Sequence, residues 1–263
     1  MTKSSFFIAV LGATLFTAPV GPAHATEAVQ VIEIRGSDEA RPASSPDDDR
    51  DEHAIRYLDA WTLKGPRNFL SGYPTRNADG TYNVAVEIPT GTSEKWETCT
   101  SAAVADPVAF PRCGEAKPGR LMVQEVKKGA RRIVNYLGYP GNYGSLPRTK
   151  SADGDPLDII AVGPAVERGS VVRVKVVGVI RCNDDGDQDD KVIALTQDSP
   201  LFASVSTLAD LDKAAVHGAE ILRSWFDSYK GAFPASKMQC LTVDDEVVAA
   251  KLIADAEAAF TAP

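Results

Sequence analysis

The chain has 263 residues, of which 28 are basic and 36 acidic, for a formal net charge of −8. That balance argues against nucleic acid as a partner, because binding a phosphate backbone requires a basic face. The four cysteines, Cys99, Cys113, Cys182 and Cys240, contain no CxxC pair, which disfavours zinc; an even count in an oxidising compartment favours disulfides.

The N-terminus has the plan of a secretory leader, with Lys3 as the positive n-region, an apolar stretch from Phe6 to Val20, and Ala23-His24-Ala25 as an A-x-A cleavage site. Residues 1–25 are therefore expected to be a signal peptide, and the remainder to be exported, to a periplasm in a bacterium. Pro19 and Pro22 interrupt the apolar run, which falls short of the roughly 20 residues of a membrane span, so no membrane association is expected after cleavage. Residues 26–56 are rich in Asp, Glu, Arg, Ser and Pro and read as a flexible acidic arm, with only Val29 to Ile34 alternating like a strand. Residues 57–263 are long enough for one domain with a sizeable core.

Within that domain, Tyr82 to Ile88 alternates as a half-buried strand, with Glu87 turned away from the face of Val84, Val86 and Ile88. In the extended segment Lys95-Trp-Glu97, the cation and the carboxylate share one side and Trp96 takes the other. Cys99 and Cys113 bracket a short loop and are the best candidates for a bridge. Ile133-Val134 opens an apolar segment running to the loop Tyr139-Pro-Gly-Asn-Tyr-Gly144. Asp153-Gly-Asp-Pro-Leu-Asp158 then leads into a strand at Ile159 to Val162, and a long strand from Val171 to Ile180 ends at the acidic run from Asp184 to Asp190. Leu222, Trp225, Phe226 and Tyr229 form a helical stripe that Gly231 closes, and a last helix is expected from an Asp244 N-cap through Val248, Leu252 and Ala256 to Phe260. Strands followed by helices give an α+β class with a β-barrel-like core.

Each acidic cluster taken alone is an ordinary turn, since Asp-Gly and Asp-Pro are turn-formers. Together, at strand ends, they offer the carboxylate oxygens that hard divalent cations prefer. The combination of Glu87-Ile-Pro, Lys95-Trp-Glu97, Tyr139-Pro-Gly-Asn-Tyr-Gly144, Asp153-Gly-Asp-Pro-Leu-Asp158, Asp184 with Asp189-Asp-Lys191, and Tyr229-Lys230 resembles the soluble family I inorganic pyrophosphatases, over roughly residues 80 to 260. The resemblance implies a five-stranded OB-like β-barrel flanked by helices, and Mg²⁺-dependent hydrolysis of pyrophosphate to two phosphates by metal-activated water with a carboxylate general base.

Carried over by position, the resemblance assigns Asp153, Asp158 and Asp189 as primary metal ligands, with Asp155 and Asp184 completing the metal and water shell, Asp155 also as general base, and Glu87 and Glu97 in the outer ring that binds metal or orders water. Lys95, Tyr143, Lys191, Tyr229 and Lys230 would contact the phosphates, with Glu97 beside them. The phosphate-binding arginine falls on Arg131 or Arg132 according to where a one-residue deletion is placed; Arg132, directly before Ile133-Val134, is favoured. The resemblance also implies a homo-oligomer. Two departures stand out: the N-terminal additions, and a stretch from Cys99 to Arg120 longer than the usual hairpin. A calcium-binding module would explain the acidic clusters but leaves Lys95, Arg132, Lys191 and Lys230 without a purpose. A Mg²⁺-dependent nuclease would require a basic track.

Overall fold

The structure, a computed structural model, describes residues 54–261 except 115 and 232–235. The leader, the strand-like Val29 to Ile34 and nearly all of the acidic arm lie outside the described residues. The elements in order are β1 (Arg56–Asp59), β2 (Thr62–Lys64), β3 (Tyr82–Ile88), β4 (Trp96–Thr98), α1 (Ser101–Ala105), β5 (Leu121–Gln124), β6 (Val126–Lys127), β7 (Ala130–Arg131) and β8 (Asn142–Ser145). Then follow β9 (Asp158–Val162), β10 (Val171–Asp184), β11 (Asp187–Gln188), β12 (Lys191–Thr196), α2 (Leu208–Ala214), α3 (Gly218–Ser228), β13 (Met238–Asp245) and α4 (Glu246–Ala259). None of the described helices is long and apolar enough to cross a membrane.

The fold is a mixed sheet with helices packed on it. β3 pairs with β8, β8 with β9, β9 in parallel with β12, β12 with β10, and the first residues of β10, Val171 to Val174, return to pair with β3. Such a ring of pairings needs a long strand that can serve two neighbours at different points along its length. The fourteen-residue β10, rich in β-branched valine, does this, and its far half also pairs with β13. A smaller antiparallel sheet, β1-β2-β5-β4, stands beside it.

Glycine permits one close approach in the ring: a Cβ on Gly144 would lie 1.9 Å from the Ala85 carbonyl oxygen, so β8 and β3 can pair this tightly only without a side chain there. Two clusters of buried side chains form the main core. One gathers Ile88, Tyr143, Ile160, Ile180 and Ile193 under Trp225 and Phe226 of α3; the other gathers Val84, Val86, Ile159, Val179 and Val192 under Ala249 and Ile253 of α4.

Several expectations shift. All seven residues of β3 are buried, because β8, β10 and the smaller sheet cover it, so the strand is not half-exposed and Glu87 is 2% accessible. Ile133 makes only an isolated bridge to Glu94 and is exposed, so the apolar segment it opens is not a buried one at that end. The last helix is capped one residue later: Asp244 pairs with Val179 inside β13, and the Asp245 side chain accepts from the Val247 and Val248 amides. Its inward face is accordingly Ala249, Ile253 and Ala256.

Candidate active site

The chain delivers its chemistry-bearing side chains to one end of the strand ring. Asp158 and Lys191 are the first residues of the parallel neighbours β9 and β12 and stand in register, which brings the Lys191 Nζ 2.5 Å from Asp158 Oδ2. Asp189, two residues earlier, reaches the same ammonium from its other side. Lys191 is buried, and burial alone would lower its pKa; the Asp158 and Asp189 carboxylates reverse that and hold it above the ordinary lysine range. Burial likewise opposes ionisation of Asp189, yet Lys191 keeps its carboxyl below the usual value.

Around this centre lies a cavity of about 340 Å³. It is lined by Glu87, Lys95, Glu97, Arg132, Tyr143, Asp153, Asp155, Asp158, Asp189, Lys191, Tyr229 and Lys230. Twelve of the thirteen site residues expected from sequence are therefore brought together. Asp184 is not in the lining: it sits at the end of β10, 2.5 Å from Lys230 across the adjoining groove. The alternation of the acidic run explains this, since the β10–β11 hairpin pairs Asp184 with Asp187 and splits the remaining carboxylates between opposite sides. Asp189 faces the cavity, while Asp190 turns away to Arg181 at 3.0 Å and accepts the Cys182 amide.

The two candidate arginines are placed differently: Arg132 lines the cavity, with one guanidinium nitrogen on both oxygens of Glu125, whereas exposed Arg131 lies over the Trp61 ring. Lys95 contacts Glu97 and lies 5.1 Å from the Tyr143 ring centroid. The Tyr143 hydroxyl donates to Asp158 at 2.5 Å. Behind these groups Trp225 and Tyr229 stack, with Tyr139 tilted against them, which fixes the end of α3 and so places Tyr229 and Lys230 at the cavity mouth. Tyr139 itself is buried against that pair and does not line the cavity.

The acidic loop between β8 and β9 is a built turn. The Asp153 carboxylate accepts the Asp155 amide at 2.9 Å, and Gly154 supplies the positive φ of 93° that the turn requires. Burial raises the Asp155 pKa to about 6, tempered by the Thr100 hydroxyl. Glu87 is pushed up to about 8 by burial and by Glu97, despite the Thr98 amide at 3.0 Å; the Ser145 hydroxyl also donates to it at 3.3 Å. Thr98, Thr100 and Ser145 all line the cavity and were not singled out from sequence. Only Thr100 left a local signal there, as a threonine immediately before a short alanine-rich helix.

The donor set, carboxylate oxygens with no sulfur or imidazole, suits a hard divalent cation. Two buried oxygens in the same wall, Thr98 Oγ1 and Asp155 Oδ1, have no protein partner. Among the described residues, no three carboxylates are gathered closely enough to hold one ion as they stand. Lys191 bridges two of them, and Lys95 and Lys230 each hold another.

A buried set of carboxylates interleaved with ammonium and guanidinium groups is the hallmark of a hydrolase that handles a polyanion through bound cations. A family model described as inorganic pyrophosphatase matches residues 84–261. The chain is 29% identical over 189 residues to an inorganic pyrophosphatase of Gluconobacter oxydans, covering 71% of this chain and 95% of that one. It is 32% identical over 166 residues to one of Drosophila melanogaster, covering 57% and 45% respectively, so it spans about half the length of some curated relatives. The crystal structure of type I inorganic pyrophosphatase from P. falciparum superposes with a TM-score of 0.66 at 25% identity, over 78% of this chain and 70% of that one. The chain belongs to the soluble family I inorganic pyrophosphatases.

Proposed function

We propose that the protein hydrolyses inorganic pyrophosphate to two phosphates and depends on Mg²⁺ to do so. The observation that carries this reading is the convergence of Lys95, Arg132, Lys191 and Lys230 with Asp153, Asp155, Asp158 and Asp189 on one cavity of a size suited to a small polyanion. Asp153, Asp158 and Asp189 would hold the metal, with Glu87 and Asp184 in outer positions. When bound, divalent cations neutralise phosphoryl oxygens and acidify the attacking water.

The chain's own residues do the rest. Lys95, Arg132, Lys191 and Lys230 bind the phosphoryl oxygens and offset the charge that would repel a nucleophile. Tyr143 and Tyr229 donate hydroxyl hydrogen bonds, and Glu97 orients Lys95. Asp155 accepts the proton of the attacking water, a role supported by its place in the cavity wall. The ring β3-β8-β9-β12-β10 supports a five-stranded barrel of the OB-like, Greek-key kind as the scaffold.

Export is supported by the leader-like N-terminus and by two disulfides, Cys99–Cys113 and Cys182–Cys240, with no free cysteine among the described residues. A homo-oligomer is expected from the family and is tested by light scattering. The deciding assay is phosphate release from pyrophosphate with millimolar Mg²⁺, set against nitrophenyl phosphate and DNA. The proposal requires release from pyrophosphate above both; no release from it overturns the reading.

A further inference from the structure

Residues 188–191 alternate between two cavities. Asp189 and Lys191 line the catalytic one, while Gln188 and Asp190 line a second cavity of about 480 Å³ together with Arg181. Asp189 and Asp190 lie between β11 and β12, so neither belongs to a strand. The Asp189 amide donates to the Cys182 carbonyl of β10 at 3.0 Å. The return bond is made by a side chain, since Asp190 Oδ1 accepts the Cys182 amide at 3.0 Å. Asp190 Oδ2 accepts from the Gln188 side-chain amide at 2.5 Å and from an Arg181 guanidinium nitrogen at 3.0 Å. The Asp190 side chain is 2% exposed, and its carboxylate thus ties both arms of the β10–β11 hairpin to the start of β12.

We propose that Asp190 is a positioning residue for Asp189: it latches the chain to β10, so that the Asp189 carboxylate stays aimed into the catalytic cavity when a cation draws it away from Lys191. The inference rests on Asp189 as a metal ligand. Before metal arrives, the Lys191 ammonium holds that carboxylate in place. A cation that takes the carboxylate over ends this contact, and the direction of Asp189 then depends on the backbone that carries it. In a regular strand a main-chain carbonyl would accept the Cys182 amide and fix that backbone; here the Asp190 side chain does so. Lys191 needs no such latch, because within β12 it is paired with Ile180 on one side and Asp158 on the other. Groups that orient a metal ligand are worth roughly 10–100-fold in metal affinity.

The test is calorimetric titration of Mg²⁺ into the metal-free protein, without substrate, for Asp190→Ala, Asp190→Asn and Asp190→Glu, with melting temperatures alongside. Asp190→Ala is expected to weaken Mg²⁺ binding about tenfold, the lower end of the scale for a group that orients a ligand. The other two variants separate the latch from the charge near the metal. Asp190→Asn removes the charge but keeps an oxygen for the Cys182 amide, and should bind Mg²⁺ like the parent. Asp190→Glu keeps the charge, and the second cavity has room for its extra methylene, but the longer side chain carries the carboxylate off the Cys182 amide. It should fold and lose as much affinity as the alanine variant, which keeps the test open even if Asp190→Ala fails to fold.

If Asp190 acts through Asp189, adding Asp190→Glu to Asp189→Asn should weaken Mg²⁺ binding no further. Parent-like affinity in Asp190→Ala or in Asp190→Glu, a loss in Asp190→Asn as large as in Asp190→Glu, or the same fold-loss on the Asp189→Asn background overturns the role of Asp190 alone. Parent-like affinity of Asp189→Asn by itself overturns the assignment of that ligand, and this proposal with it.

Discussion

Lys191 shows how much a single residue can settle in this site. It is 2% accessible and in contact with both Asp158 and Asp189, which are only partly exposed. Removing a buried partner leaves uncompensated charge, so Lys191→Met should destabilise the metal-free protein by about 3 kcal/mol, read from the denaturant midpoint in a chelator. An unchanged midpoint would show that the two carboxylates do not need the ammonium. Asp155→Asn should fold normally and lose at least about a hundredfold in turnover, the usual scale for general base catalysis; a phosphate-release assay at saturating substrate checks it. At this scale the sequence was informative wherever a residue type is demanded by charge, as at Asp153, Asp158 and Lys95. It was silent on Thr98 and Ser145, because a hydroxyl in a strand looks the same whether it meets a cavity or solvent. Asp184 stands outside the cavity lining for a related reason: an acidic run does not disclose which of its carboxylates a hairpin will turn inward.

At the scale of elements, the long stretch from Cys99 to Arg120 and the β3–β8 contact carry the checks. The Cys99–Cys113 bridge closes a loop of about 15 residues, so replacing both cysteines with serine should cost on the order of 3 kcal/mol by the chain-entropy model. Thermal melts of the double variant and the parent measure it, and equal melting temperatures would mean the bridge constrains nothing that the packing of Ala103 and Val123 around it does not already hold. Gly144→Ala should cost about 1–3 kcal/mol and reduce turnover as well, because the new Cβ forces β8 from β3 and carries Tyr143 and Ser145 with it. Unaltered stability would mean the two strands can separate freely. Helix positions were legible in the stripe of Leu222, Trp225 and Phe226, since burial of one face imposes a period. Helix α2 and strand β13 were not anticipated. Helix α2 has a single buried side chain, Leu211, and β13 alternates too weakly in burial to announce itself.

For the whole molecule, stability should be linked to the metal of the proposed function. Mg²⁺ at about 100 times its Kd should add roughly 2.7 kcal/mol. That corresponds to a rise on the order of 5–10 °C in melting temperature for a domain of this size. Calorimetry with Mg²⁺ and then with excess chelator measures the difference, and no shift would speak against a site that binds metal in the folded state. The strand-rich class could be read from the alternation of Tyr82 to Ile88 and the valines of β10. The order in which strands pair could not, because the return of Val171–Val174 to β3 is a long-range contact that no local pattern encodes.

The pairing of Lys95 with Glu97, Lys191 with Asp158 and Asp189, and Lys230 with Asp184 has a consequence for the order of events. A cation arriving alone must pull carboxylates from ammonium groups, and an anion arriving alone must pull ammonium groups from carboxylates. Whichever comes first therefore bears the cost of breaking these contacts, and the second finds its partners already released. By linkage, each ligand must then tighten the other's affinity by the same factor. A stray phosphate or a lone metal ion should therefore bind poorly, and the two together should bind as a unit.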